Sequence, residues 1–142
     1  MKRRRSREYA LQLLFQLELA GNKLSESILH EFWEDNDEDQ EVKDFTHAIV
    51  KTTIANLEHI DETIKKAAEH WSIKRMASID RNILRAATCE LLYRPDIPSS
   101  VVINEALEIA KKYSTEDSAP FINGLLDKIA NQVVTAAPDN NR

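Results

Sequence analysis

With 142 residues and a formal net charge of −5, the chain has the length of one ordinary domain, residues 1–142, able to bury a core of its own. Two glycines and four prolines are too few turn residues for a β-sandwich or barrel, and the single cysteine, Cys89, excludes an internal disulfide and fits a reducing compartment. No apolar run approaches the ~20 residues of a membrane span, and Gln12, Gln16 and Glu18 break up any secretory core behind the basic start, so a cytoplasmic protein is expected.

Residues 1–7 form a basic arm carrying Lys2, Arg3, Arg4, Arg5 and Arg7 on an otherwise acidic chain. Such a cluster on a repelling body points to a local polyanionic contact, nucleic acid first, with a solvated tail as the alternative. Residues 6–20 have strong helical periodicity, stopped by Gly21-Asn22. Ala10, Leu13, Leu14, Leu17 and Gly21 share one face, the expected core stripe, with Leu11 and Phe15 off it. Extended backwards, the helix puts Arg4, Arg7, Leu11 and Phe15 on one row, a ring in line with two guanidinium groups. A shorter helix is predicted over 25–33, followed by 34–41 with six acids in eight residues. That segment reads as an exposed loop, or as a surface for a basic partner.

Two helices follow, over 42–55 (Val42, Phe45, Ile49, Ile54 inward) and 58–70 (Ile60, Ile64, Ala67, Ala68, with Trp71 beyond). Ser78 is the expected N-cap of a helix over 79–93, whose stripe is Ile79, Ile83, Ala86 or Ala87, and Leu91, with Cys89 as a small filler. Prolines at 95 and 98 break the chain. Ser99 or Ser100 then caps 100–112, with Val102, Ile103, Ala106, Ile109 and Ala110 inward and Lys111 and Lys112 at its negative dipole end. Ser118 caps a last helix over 119–135, in which Gly124 predicts close backbone approach; 136–142 is expected to be a flexible tail. The expectation is an all-α fold of about seven helices.

Catalytic patterns are missing. Two isolated glycines build no phosphate loop, and His30, His47, His59 and His70 lie 11 to 17 residues apart, outside metal-ligand spacing. No nucleophile elbow exists, and Cys89 sits mid-helix with no activating base. No enzyme, metal site or cofactor is expected. A binding module remains.

Three segments are similar to the NusB family of transcription antitermination factors: residues 3–16 (RRRSREYALQLLFQ), 79–91 (IDRNILRAA…EL), and 97–127, with Val102-Ile-Asn-Glu-Ala106 and Phe121-Ile-Asn-Gly-Leu-Leu-Asp127 in order. The resemblance covers nearly the whole chain and is weakest across 24–60. Ser6 stands where the family often has Ala, and Phe15 where it often has Tyr. The resemblance implies two packed three-helix sub-bundles plus one further helix. It also implies binding of boxA-type single-stranded RNA in ribosomal RNA leader transcripts, together with the ribosomal protein NusE, within an RNA polymerase antitermination complex.

Single strands are gripped by cations on phosphates and by rings or guanidinium planes on bases. The candidate RNA-binding residues are therefore Lys2, Arg3, Arg4, Arg5, Arg7 and Phe15, joined through the resemblance by Ser118, Phe121 and Asn123. Ordinary packing for Phe15 and Phe121, a cap for Ser118 and an interhelical bond for Asn123 stay open beside those roles. Asp117, a neighbouring acid, would repel phosphate. Asn104 is expected to be buried between helices. Asp80 and Arg81 are expected on an exposed turn facing NusE. Five cations on five phosphates predict a salt slope of about −3.5. The alternatives are a homodimer built on Leu11 and Phe15, and a relative of the amino-terminal domain of RNA cytosine methyltransferases; against the latter, no S-adenosylmethionine-binding glycine motif is present.

Overall fold

The computed structural model describes residues 2–69 and 72–136 and contains, among them, seven α-helices and no strand. These are α1 (Lys2–Leu19), α2 (Glu26–Glu34), α3 (Gln40–Ala55), α4 (Leu57–Ala67), α5 (Ser78–Tyr93), α6 (Ser99–Tyr113) and α7 (Ser118–Ala136), with a short 3₁₀ turn at Ile73–Arg75. The expected Trp71 contact and residues 137–142 of the expected 136–142 tail lie outside the described residues, and Ala136 belongs to α7. Helix α4 ends at Ala67, three residues earlier than its periodicity predicts.

The apolar stripes sort into two cores. Ala10, Leu13, Leu14 and Leu17 of α1 meet Leu29 and Phe32 of α2 and Phe45, Ile49 and Val50 of α3. Ile83, Leu84 and Leu91 of α5 form the second with Val102 and Ile109 of α6 and Ile122, Leu126 and Ile129 of α7, while Ile60 and Ile64 of α4 close it. This is the expected pair of three-helix bundles with one helix added. Leu11 departs from expectation. It is buried in the second core, because α5 and α6 cover a second side of α1. Helix α1 is thus the shared wall of both bundles.

Local chemistry explains the ends. The Gly21 and Asn22 amides donate to the Glu18 and Leu17 carbonyls at 3.3 and 2.8 Å, with both residues at positive φ (83° and 61°), a Schellman-type stop. Ser25 caps α2 by accepting from the Ile28 amide at 3.3 Å. Ser78 is not a cap. Ala77 holds that position, and the Ser78 hydroxyl donates to Glu18 at 2.8 Å instead, tying α5 to α1. Pro98 takes the cap position of α6. Gly124 is exposed, with no atom within 4 Å of where a Cβ would stand, so it marks no close approach. The Ser6 hydroxyl, where the family often has a methyl group, donates to the Val42 carbonyl at 3.0 Å and pins α1 to α3. Cys89 is buried, and desolvation pushes its thiol up to about 11, which leaves it an inert filler.

Candidate nucleic-acid interface

Five cations in the first turns of one helix repel each other and oppose the positive end of its dipole. The fold answers with carboxylates from three directions. Lys2 Nζ lies 3.4 Å from Asp39 and 3.2 Å from Glu41. Arg5 makes two bonds to Glu38, at 2.8 and 3.1 Å, and Glu38 also accepts from the Tyr9 hydroxyl at 3.1 Å. Arg4 forks onto Glu105 of α6. Arg7 forks onto Glu90 of α5 at 2.9 and 2.8 Å, with Glu105 at 3.7 Å. The hydrogen bonds from Arg4 and Arg5 hold the Glu105 and Glu38 carboxyls below the usual range, so both stay charged at neutral pH.

Only Arg3 makes no ion pair among the described residues; its guanidinium carbon lies 4.1 Å from the centroid of the Phe45 ring. The arm therefore fans out over three neighbours instead of forming one stripe. The acidic segment is mostly exposed, as expected, and its end pairs with the chain's own arm.

The row of Arg4, Arg7, Leu11 and Phe15 is broken by burial. The Arg7 side chain is 8% exposed and locked to Glu90, and Leu11 is core, whereas the Arg4 side chain keeps 34% and Phe15 stands 37% exposed. Arg7 is a strut between α1 and α5, out of reach of a strand. Phe15 lies about 18 Å along the helix axis from Arg3, so arm and ring meet different nucleotides of any one strand. Beside Arg4 lies an open groove lined by Arg4, Glu8, Glu108, Ile109, Lys111 and Lys112. Lys112 donates to Glu8 at 2.8 Å and Lys111 approaches Glu108 at 3.8 Å. The sequence reading took these two lysines only as dipole partners. Nothing local signals their place beside α1, 104 residues away in the chain.

Beyond Phe15 the α5 start and the α6–α7 turn lock together. Asp80 is buried and accepts from the Ser114 and Ser118 hydroxyls at 2.6 and 2.8 Å. Arg81 forks onto Glu18 and donates to the Ile73 and Met76 carbonyls at 3.1 and 2.9 Å. The expected exposed turn at Asp80 and Arg81 is corrected accordingly: both side chains are spent inside the fold. Ser118 is buried on Asp80 and cannot reach a phosphate. Phe121 is half-buried and lines a cleft with Arg75, Met76 and Asp117. Asn123 is exposed, but two residues on along a helix it points about 200° away from Phe121, so one strand does not meet both side chains. Asn104 is exposed as well, and the interhelical bridge expected of it is absent; its neighbour Glu105 holds the arm.

The described residues form an all-helical scaffold that carries cations and an exposed ring along one helix. The NusB family profile matches residues 4–131. Transcription antitermination protein NusB of Thermodesulfovibrio yellowstonii is 49% identical, covering 94% of this chain and 95% of that protein. The solved T. maritima NusB is 42% identical with a TM-score of 0.83, covering 92% of this chain and 91% of that one. A structure of antitermination factors NusB and NusE in complex with dsRNA is 27% identical with a TM-score of 0.82, covering 92% and 96%. The chain belongs to the NusB family.

Proposed function

We propose that the chain is a non-catalytic, cytoplasmic antitermination factor that holds boxA-type single-stranded RNA of ribosomal RNA leader transcripts together with the ribosomal protein NusE, inside an RNA polymerase antitermination complex. The observation that carries the reading is Phe15: a ring 37% exposed on a helix whose other large apolar residues, Leu19 apart, are packed away. It shares α1 with the arm and with Arg4 and Glu8, which line the open groove, so stacking and phosphate contacts fall along one helix. Arg3, Arg4, Lys2 and Arg5 are the phosphate-facing cations, with Lys111 and Lys112 along the groove and Phe121 in a separate cleft beside Arg75. Arg7 and Ser118 shape the surface from beneath.

The test is filter binding of a boxA-like strand and a scrambled control, each with and without NusE. A duplex form is included because the similar NusB–NusE complex holds dsRNA. The Phe15→Ala variant should lose about 1–3 kcal/mol of binding and show a blunted preference for the boxA-like strand. Equal binding of all RNAs by both proteins would overturn the reading. A second reading has one observation in its favour. Leu19, 78% exposed, sits one turn from Phe15, and the two make an apolar patch suited to a homodimer. Sedimentation with and without RNA separates the two, since a dimer on that patch competes with RNA.

A further inference from the structure

Three guanidinium groups converge on one ring at the end of α1 away from Phe15. The carbons at the centres of the Arg3, Arg94 and Arg7 guanidinium groups lie 4.1, 5.3 and 5.4 Å from the Phe45 centroid. Arg7 is tied to Glu90, but the other two border an open cleft between α1 and α3 that Lys2 also lines. Phe45 is buried at its floor, where a ring can hold two planar cations side by side against their mutual repulsion. We propose that Arg3 and Arg94, gathered over Phe45, form a second seat for a phosphodiester of RNA, on a different flank of α1 from the groove at Arg4 and Glu8. This rests on the RNA-binding reading above and extends the strand's path around the start of the helix.

Arg94 already holds an anion of the chain's own. Arg94 makes two bonds to Asp96, at 3.1 and 3.0 Å, on the turn that follows α5. The Asp96 carboxyl is held below the usual carboxylate range, chiefly by Arg94 and in part by the charge of Arg3. That carboxylate is 60% exposed, so it can turn out into solvent. A phosphate replacing it meets the Arg94 fork, with the Arg3 guanidinium over the same ring, and such forks suit phosphate oxygens. Two acids line the cleft, and both are engaged. Glu41 pairs with Lys2, and Asp44 accepts from the Gln40 amide at 2.8 Å. An exposed ion pair is weak, so exchanging Asp96 for phosphate meets little resistance.

The experiment measures fluorescence anisotropy of a labelled single-stranded RNA with the full chain as a function of salt. Arg94→Ala should weaken binding about fivefold, the scale of one exposed ion pair, and make the salt slope shallower by about 0.7. Arg94→Lys should restore part of both. Asp96→Asn should act the other way, tightening binding and steepening the slope, a gain that no structural defect produces. Lys66→Ala, which removes an exposed cation on α4, is the control for net charge. The proposal is overturned if Arg94→Ala and Asp96→Asn match the parent, or if Lys66→Ala loses as much as Arg94→Ala. Silent Arg94 and Asp96 variants beside a weakened Phe15→Ala would remove this seat and leave the RNA reading intact. A parent chain that binds no RNA would remove both.

Discussion

The acidic segment ahead of α3 should act as a brake on RNA binding, and removing its charge should release it. Glu38, Asp39 and Glu41 face Arg5 and Lys2 at hydrogen-bonding or ion-pair distance. Any phosphate that reaches those cations then lies well inside a Debye length, ~10 Å at about 0.1 M salt, of the same carboxylates. Each carboxylate left beside the phosphate cancels most of the charge its partner brings. Arg4 and Arg7 are matched in the same way by Glu105 and Glu90. The arm of five cations therefore delivers the effective charge of about one, Arg3, or of two if Arg94 joins it. The salt slope of the parent should lie between about −0.7 and −1.4, well short of the −3.5 expected if all five acted.

Converting Glu38→Gln, Asp39→Asn and Glu41→Gln together frees Lys2 and Arg5, which should steepen the slope by about 1.4 and tighten binding at low salt. Asp39→Asn with Glu41→Gln frees Lys2 alone and should give half that step. The assay is a titration of labelled strand from about 50 to about 200 mM salt, with a melting curve for each variant. A slope unchanged by the triple substitution, or binding weakened by it in a chain that still folds, would refute the claim that these acids compete with phosphate.

Two further predictions concern the contacts that join the bundles. Glu18 accepts from Arg81, Ser78 and Arg85, and these, Arg81 foremost, hold its carboxyl at about 2 against the opposing effect of burial. A folded value below the unfolded one stabilises the protein above about pH 4.5, and that stability is lost as pH falls toward 2; the displacement corresponds to about 3 kcal/mol. Glu18→Gln should therefore unfold at lower denaturant at pH 7 and approach the parent near pH 2 to 3, and an equal gap at both pH values would contradict this. Arg7→Ala should cost about 3–5 kcal/mol in urea unfolding by leaving Glu90 buried and unpaired, whereas Arg7→Met with Glu90→Met should recover most of it. A small loss from Arg7→Ala would mean that Arg7 is no strut and is available to RNA.

How much could be read before the fold was known follows a physical line. Helices α1 to α7 were legible within a few residues, because a period of 3.6 and the breaks at Gly21, Pro95 and Pro98 are properties of neighbouring residues. The helical period sets Phe15 off the core stripe, but packing against another helix stays open for it, and the fold shows it 37% exposed. The same arithmetic misplaced Leu11, since a helix that walls two bundles has two buried faces and only the wider one shows as a stripe. What could not be read is which charges are answered. Arg4 meets Glu105 across 101 residues, Arg7 meets Glu90 across 83 and Arg5 meets Glu38 across 33. Asp80, placed by its position in a first helical turn, is buried by hydroxyls of a turn 34 and 38 residues on. A basic run and an acidic run in one chain were weighed separately, one as an RNA contact and the other as solvated. Brought together, they set each other's effective charge, so the affinity of this surface is governed as much by residues 38–41 as by residues 2–5.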